Sequence, residues 1–267
     1  MKFLHLSDTH LRRDYQTNDF TSKLADQKIN PTEHLQEAMA SWQEEAFDFA
    51  LITGDLVHEG EQEDYELFKK LWQDNLPEVP YFFCRGNHDR LQPFLQAMAA
   101  DSSQKERYLT CQEFKGVRII CLDSAQEQHH EGKISSQQLQ QLTDWLSEPA
   151  EKGTLLLLHH PLAWEEAAIQ TETPDGFEQV IADSDIKGIF VGHIHQGTTA
   201  CYAGKMQYMT EAMSFGVDEF PNESIFTDRT GYNVCSLTAE GLFVAHHYLT
   251  PKQTVIGGVK KPVEGNF

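Results

Sequence analysis

The segment Phe49-Ala50-Leu51-Ile52-Thr53-Gly54-Asp55 is an apolar run that ends in a glycine and a carboxylate. A short apolar run bounded by a turn signal is typical of a buried strand. Glycine permits the close backbone approach that a functional side chain at a strand end often requires. The segment therefore predicts a buried strand of an α/β protein, with Asp55 at one edge of the sheet.

Four further predicted strands end in the same way. They span residues 2–7, 80–84, 154–158 and 188–191, and the polar residues beyond them are Asp8, Asn87, His159 and His193. In open α/β sheets, ligands bind at the carboxyl ends of the strands. We therefore expect five strand ends to bring these side chains together at one rim.

Apolar residues at helical spacing separate the strands. Helices are predicted over residues 33–47, 61–75, 135–146 and 177–182, with Ser135 or Ser136 as the cap of the third. Residues 12–34 are polar and predict a loop or an excursion over the site. The alternation of strands and helices favours two packed sheets with flanking helices.

The pattern changes after residue 198, where short strand-like runs follow one another. They cover residues 198–202, 207–210, 231–238 and 242–249. The last residues contain Gly257-Gly258 and no obvious core face, which indicates a mobile or surface-draped tail. The sequence thus predicts a single domain over residues 1–250 and a C-terminal tail over residues 251–267.

Composition restricts the class of partner. The chain has 267 residues, 41 acidic and 21 basic, for a formal net charge of -20. Binding a nucleic-acid polymer relies on clustered lysine and arginine, so this balance disfavours such a partner. A small phosphoester remains compatible, because divalent cations would make a pocket locally positive.

The five cysteines are widely spaced and form no CxxC pair, which favours reduced, buried thiols. No apolar run approaches the length of a membrane span. The first predicted strand leaves no room for a signal sequence before Asp8. We therefore expect a cytoplasmic protein without a membrane partner.

Seven residues suit a pair of metal ions. They stand in Asp8-Thr9-His10, Gly54-Asp55, Gly86-Asn87, His159-His160 and Gly192-His193-Ile194-His195. Two cations about 3.5–4 Å apart can hold the attacking and leaving oxygens of an in-line displacement at phosphorus. The mixture of oxygen and imidazole donors favours Mn²⁺, Fe²⁺/Fe³⁺ or Zn²⁺ over an all-oxygen magnesium or calcium site.

These blocks resemble the signature of the calcineurin-like metallophosphoesterase superfamily, and within it the bacterial class III cyclic-nucleotide phosphodiesterases and glycerophosphodiesterases. The resemblance covers roughly residues 1–250 and implies a four-layer α/β/β/α sandwich with two mixed β-sheets. It places the metal site at the C-terminal strand ends. It also implies a homo-oligomer, either a dimer or a larger assembly.

The resemblance also implies residue roles. The first metal would be held by Asp8, His10, Asp55 and His195, and the second by Asp55, Asn87, His159 and His193, with Asp55 as the bridge. A hydroxide bound to the metals would attack phosphorus in line with the leaving group and so cleave the ester. Catalysis would involve His88 and Asp55, and the substrate would contact His10, Asp55, Asn87, His88 and His195. Asp89 would orient His88, which would assist the leaving group.

Some positions differ from the related branches. His58 stands where purple acid phosphatases have a ligand tyrosine, and we interpret it as a histidine at the rim. Arg85 would meet a substrate phosphate or pair with a surface acid. Small phosphodiesters, such as cAMP or a glycerophosphodiester, are the expected substrates. A phosphomonoesterase is the main alternative, while a DNA nuclease and a non-catalytic scaffold are disfavoured.

Overall fold

The computed structural model describes residues 1–99, 106–249 and 255–260. The α-helices are α1 Asp19–Asp26, α2 Pro31–Trp42, α3 Gln62–Asn75, α4 Leu91–Met98, α5 Ser136–Trp145 and α6 Phe177–Asp183. The strands are β1 Lys2–Leu6, β2 Phe49–Thr53, β3 Tyr81–Cys84, β4 Leu109–Phe114, β5 Val117–Leu122, β6 Gly132–Lys133, β7 Thr154–Leu157, β8 Thr171–Glu172, β9 Ile186–Val191, β10 Thr199–Tyr202, β11 Lys205–Met209, β12 Gly216–Phe220, β13 Glu223–Thr227, β14 Gly231–Leu237, β15 Leu242–Tyr248 and β16 Val255–Lys260.

Two mixed sheets carry the predicted strand ends. The first has the order β15-β14-β1-β2-β3, in which β1, β2 and β3 are parallel and β14 is antiparallel to β1. The second has the order β10-β11-β9-β7-β5-β4, with β5, β7, β9 and β11 parallel. The parallel strands of each sheet therefore present their carboxyl ends on one side, as the sequence predicts.

Alternating side chains of β5 show how the layers stack. Ile119 and Cys121 belong to the core that also contains β1, β2 and the buried faces of α2 and α3. Ile120 and Leu122 belong to a second core with α5 and α6. Successive strand residues face opposite sides of a sheet, so the second sheet is covered by the first sheet on one face and by helices on the other. The four-layer α/β/β/α arrangement is confirmed.

Helix α5 begins where the sequence indicates. The Ser135 hydroxyl accepts a hydrogen bond from the backbone N–H of Gln138, whose side chain in turn accepts from the Ser135 N–H. This reciprocal capping satisfies two backbone donors at the helix start. Leu142 of the helix is fully buried and packs in the second core.

Several segments differ from the sequence prediction, among them the unpredicted strands β4, β12 and β13 and the three described next. Residues 12–34 contain helix α1, whose first N–H groups are capped by the Asn18 side chain, and the start of α2. Residues 91–98 form α4, which the sequence pattern does not indicate. Part of the predicted tail forms β16, which pairs antiparallel with β13 in a third sheet, β12-β13-β16. Residues 251–254 and 261–267 of that tail lie outside the described residues, and its separation from a 1–250 domain stays a prediction.

The cysteines largely agree with prediction. All five are free, and Cys84, Cys121 and Cys235 are buried. Cys201 is exposed, contrary to expectation. Among the described residues, no helix has both the length and the apolar character required to cross a membrane.

Candidate metal centre

The loops after β1 and β2 run side by side and deliver the first three predicted ligands. The N–H of Asp8 donates to the Gly54 carbonyl at 3.0 Å, and the N–H of His10 donates to the Asp55 carbonyl at 2.9 Å. These bonds continue the pairing of the two strands beyond their ends. They bring Asp8, His10 and Asp55, all nearly or fully buried, to one point of the sheet edge.

Left-handed backbone is concentrated at the predicted ligands. Positive φ angles occur at Asp8 (54°), His10 (44°), Asp55 (49°), His193 (69°) and His195 (56°). This conformation is uncommon for residues other than glycine and often marks functional sites. The strand ends therefore turn abruptly, which points side chains from separate strands into one volume.

Glycines make room for this convergence. A Cβ atom on Gly86 would lie 2.1 Å from Oδ1 of Asp55, and one on Gly192 would lie 1.9 Å from Oγ of Ser7. Both separations are far shorter than any real Cβ contact. The loops after β3 and β9 can approach the ligands so closely because these positions have no side chain.

The first predicted ligand set is compact. Nε2 of His10 lies 3.3 Å from Nε2 of His195 and 3.6 Å from Oδ2 of Asp55. Nε2 of His195 lies 3.2 Å from Oδ1 of Asp8. Metal–ligand bonds of about 2.0–2.2 Å place neighbouring donors about 2.8–3.6 Å apart, for octahedral to tetrahedral angles. These separations fit one cation.

The second set shares Asp55 with the first. Nε2 of His159 lies 3.3 Å from the same Oδ2 of Asp55 and 3.1 Å from Oδ1 of Asn87. The His159 and His193 ring centroids are 5.1 Å apart. The other oxygen of Asp55 is held by the backbone N–H of His88 at 2.8 Å. All seven predicted ligands thus meet at the two sets, with Asp55 between them.

In the predicted ligand sets, lone pairs of imidazole nitrogens point at lone pairs of carboxylate oxygens. Nδ1 of His159 donates to the Thr53 carbonyl and Nδ1 of His195 donates to the Phe215 carbonyl, both at 2.7 Å. A neutral imidazole with a proton on Nδ1 has a bare lone pair on Nε2. In each ring that lone pair faces a carboxylate oxygen, and Oδ1 of Asp8 has no hydrogen-bond partner. Such an arrangement needs positive charge, so the residues fit a pair of cations.

The pKa shifts of His159 and Asp55 also indicate that the site favours positive charge. Burial alone would lower the pKa of His159, but the facing Asp55 carboxylate, together with Asp8 and the hydrogen bond to the Thr53 carbonyl, outweighs burial and raises it to about 9. Burial would raise the pKa of Asp55, yet His159 and its other histidine neighbours hold it well below its ordinary value. A proton on His159 would supply part of the positive charge that a cation would otherwise provide.

His88 lies beside the two sets. Its Nδ1 is 3.8 Å from Oε1 of Glu59, and its ring contacts those of His10 and His58. Burial would lower the pKa of His88, but Asp55 and Glu59 together raise it above its ordinary value. Glu59, rather than the predicted Asp89, is the carboxylate that faces His88.

Asp89 has a different task. Its carboxylate accepts from the backbone N–H groups of Gly86, Leu56 and Val57 and from the Tyr65 hydroxyl, at 3.0–3.2 Å. Burial, and the nearby Asp55 charge, raise the pKa of Asp89 to about 7. Asp89 therefore ties the loop after β3 to the loop after β2.

One of the two alternatives for Arg85 is confirmed. Arg85 is only 2% exposed; its Nε donates to the fully buried Asp123 at 3.1 Å and its Nη1 donates to the exposed Glu127 at 3.0 Å, so it pairs with a surface acid as well as a buried one. The interpretation of His58 is corrected. His58 is only 4% exposed and therefore lies inside the protein, not at the rim. Its Nδ1 is 2.9 Å from Nδ1 of His10. Local sequence carried no signal for this contact, which joins two separate loops.

Two clefts open beside the centre. The larger, of about 850 Å³, has His10, Asp55, His193 and His195 at its base. Its apolar wall is formed by Phe20, Ile169, Phe215, Val217 and Phe226. The smaller, of about 570 Å³, includes the polar side chains of Asn87, Glu59, Arg90 and Glu127. His88 lines both clefts, so a group bound on either side would lie next to it.

Two solved structures have a similar fold. A purple acid phosphatase from yellow lupin superposes with a TM-score of 0.69 at 12% identity, covering 97% of this chain and 53% of that one. A dimetal phosphatase from Danio rerio superposes with a TM-score of 0.59 at 14% identity, covering 94% and 99%. At these identities the likeness concerns the fold alone.

Sequence comparison gives more specific relatives. The chain is 32% identical over 207 residues to a "Probable cyclic nucleotide phosphodiesterase" of Rhodococcus erythropolis, covering 75% of this chain and 67% of that protein. It is 31% identical over 216 residues to a cAMP/cGMP dual specificity phosphodiesterase of Mycobacterium tuberculosis, covering 75% and 64%. It is 26% identical over 221 residues to a "Probable glycerophosphodiester phosphodiesterase" of Arcobacter nitrofigilis, covering 77% and 75%.

The matched region thus spans about two thirds of the first two relatives. A family model described as calcineurin-like phosphoesterase matches residues 1–197, which include all seven predicted ligands. The chain belongs to the calcineurin-like phosphoesterase family.

Proposed function

We propose that this chain is a metal-dependent phosphodiesterase that holds two divalent cations and hydrolyses small phosphodiesters. The observation that carries the proposal is the position of one carboxylate oxygen. Oδ2 of Asp55 is 3.6 Å from Nε2 of His10 and 3.3 Å from Nε2 of His159, so two groups of donors share it. The relatives named as cyclic-nucleotide and glycerophosphodiester phosphodiesterases support the diester class.

The ligand assignment follows the two sets. Asp8, His10, Asp55 and His195 would hold one cation, and Asp55, Asn87, His159 and His193 would hold the other. Mn²⁺, Fe²⁺/Fe³⁺ and Zn²⁺ all suit these oxygen and nitrogen donors. When bound, the cations supply charge neutralisation at the phosphoryl group and a water of lowered pKa.

The protein's own groups do the rest. We assign His88 as the acid that protonates the leaving oxygen, through Nε2, because its Nδ1 is turned toward Glu59. Its position between the two clefts lets it meet an ester arm on either side. The backbone N–H of His88 donates to Oδ1 of Asp55 at 2.8 Å, which holds the residue that carries the acid against the shared carboxylate.

The cleft and the charge set the expected partner. A cleft of about 850 Å³ is the size of a small-molecule site. The net charge of -20 disfavours a nucleic-acid polymer. We retain a cytoplasmic location and a homo-oligomer, dimer or larger, as parts of the proposal.

The test begins with elemental analysis of the purified protein, before and after incubation with Mn²⁺. Activity is then compared on bis-p-nitrophenyl phosphate, p-nitrophenyl phosphate, cAMP and a glycerophosphodiester, with Asp55→Asn as the matched variant. We expect two metal equivalents, faster turnover of diesters, and loss of both metals and activity in the variant. A preference for the monoester would make the same site a phosphomonoesterase. A chain that binds no metal and turns over none of these esters would refute the proposal.

A further inference from the structure

His58 is held between three other rings. Nδ1 of His58 lies 2.9 Å from Nδ1 of His10. The His88 ring stacks on it, with centroids 4.4 Å apart and planes at 20°. The Phe20 ring also stacks on it, at 5.1 Å and 23°. Its carbonyl accepts from the Arg12 guanidinium at 3.0 Å, which fixes the backbone as well.

The contact between His58 and His10 has only one consistent proton arrangement when His10 binds a cation. Coordination through Nε2 removes the proton from that atom, so Nδ1 of a neutral His10 must carry one. Nδ1 of His58 then accepts that hydrogen bond and must be bare. The proton of a neutral His58 is therefore on Nε2.

His58 thus stands where two of the other ligand rings, those of His159 and His195, have a backbone carbonyl. His159 and His195 direct Nε2 to the centre because their Nδ1 atoms donate to the carbonyls of Thr53 and Phe215. For His10, the hydrogen-bond partner of Nδ1 is a side-chain atom, Nδ1 of His58, at 2.9 Å. A partner of this kind fixes the tautomer and the orientation of a ligating ring.

We propose that His58 is a positioning residue with two roles, one toward His10 and one toward His88. Its Nδ1 accepts from His10 and so aims Nε2 of His10 at the first cation, and its ring plane supports His88. The inference rests on the proposed metal centre and adds a residue that is in neither predicted ligand set.

Two variants separate these actions. His58→Phe keeps a flat ring against His88 but places a carbon where Nδ1 was, which removes the acceptor. His58→Asn keeps an acceptor near the former Nδ1 position but removes the ring. Metal affinity is measured for both by titration against a chromophoric chelator, together with kcat and thermal unfolding.

We expect the two variants to fail in different measurements, one in metal affinity and the other in kcat. His58→Phe should bind one of the two cations about 10- to 100-fold more weakly, the usual effect of losing the partner of a ligating histidine. His58→Asn should retain both cations but lose at least about tenfold in kcat, part of the 10²–10⁴-fold that a placed acid contributes. Full metal affinity in His58→Phe, or equal loss of metal in both variants, would overturn the proposal.

A direct measurement needs no variant. In zinc-loaded wild-type protein, ¹⁵N–¹H spectra of the imidazoles should show His58 with its proton on Nε2 and His10 with its proton on Nδ1. A His58 ring protonated on Nδ1 would overturn the inference. If wild-type protein bound no metal at all, the proposed function itself would fail. If wild type bound two cations and His58→Phe did so equally well, only the role of His58 would fail.

Discussion

Replacing Gly86 by alanine should disable the centre without touching a ligand. The added Cβ would lie 2.1 Å from Oδ1 and 2.4 Å from the backbone N of Asp55. Ordinary contacts begin near 3.4 Å, so the carboxylate and the loop after β3 must separate by about 1.3 Å, the difference between 3.4 and 2.1 Å. The Gly86 N–H is itself bonded to Asp89 at 3.0 Å, which hinders retreat of the loop.

A displacement of this size at the shared carboxylate is large for catalysis. A misplacement of 1 Å can cost on the order of 10²-fold in rate, and overpacking costs about 1–3 kcal/mol of stability. We therefore expect Gly86→Ala to lose about 10²-fold or more in turnover of bis-p-nitrophenyl phosphate and to bind fewer than two metal equivalents. Steady-state kinetics and elemental analysis on the same preparation measure both.

Gly204→Ala is the matched control. Gly204 has a φ of +78° and no atom within 4 Å of an added Cβ, so alanine there costs about 1–2 kcal/mol of backbone strain and leaves the centre intact. It should lower the melting temperature while activity at 25 °C stays at the wild-type level. If Gly86→Ala bound two cations and turned over substrate like wild type, the close approach to Asp55 would not constrain the centre.

Three further predictions concern an acid, a buried histidine and the cleft wall. His88→Asn should lower kcat by about 10²–10⁴-fold, the contribution of a placed acid, while elemental analysis still finds two cations; equal loss of metal would make His88 structural. Burial lowers the pKa of His5 to about 3, so the folded chain excludes a proton that the unfolded chain binds near pH 6.5. The contribution of neutral His5 to the free energy of unfolding is complete above pH 6.5 and is lost as the pH falls toward 3. By pH 5 this loss is about 2 kcal/mol. Urea unfolding of His5→Gln should lack that part of the decline between pH 7 and pH 5, and equal declines in both proteins would contradict the assignment. Phe226→Ala removes part of the apolar wall and should raise KM about tenfold for diesters with an aromatic arm, with unchanged metal content; an effect equal to that on a glycerophosphodiester would argue against aromatic contact with Phe226.

The strand ends could be predicted because their signal is local. Four apolar residues and a threonine followed by Gly54-Asp55 specify a buried strand, a sharp turn and a ligand within one short segment. Helix α1 gave no such signal, because its polar sequence forms a helix only with the Asn18 cap and the packing of Leu24 and Phe20. Strand β16 pairs with β13 across separations from Thr227–Val255 to Glu223–Lys260, about thirty positions or more along the chain, and no pattern within residues 255–260 indicates that partner.

The burial of His58 could not be predicted for a related reason. Phe20, which covers one face of its ring, comes from helix α1 in a segment predicted as a loop. His88, on the other face, comes from the loop after β3. The environment of His58 is thus created by three segments that meet only in the folded chain, whereas the metal ligands are marked by their own strand ends.

The lone-pair arrangement around Asp8 leads to a last prediction, in which function and stability oppose each other. Oδ1 of Asp8 is buried, has no hydrogen-bond donor and faces the bare Nε2 of His195 at 3.2 Å. Asp8→Asn would keep an oxygen for the His193 N–H, now 3.1 Å from Oδ2, and would turn an amide N–H toward His195. Asparagine also tolerates the left-handed backbone at this position.

The variant should therefore be more stable than wild type without metal, by about 1–3 kcal/mol, the cost of a buried unsatisfied polar group. With saturating Mn²⁺ the order should reverse, because only wild type gains the free energy of binding at the first cation. Urea unfolding of both proteins, in EDTA and in Mn²⁺, measures the four free energies of unfolding that this comparison needs. A variant less stable than wild type in EDTA would mean that the carboxylate is stabilising on its own, and the argument that these donors converge for the sake of a cation would lose its physical basis.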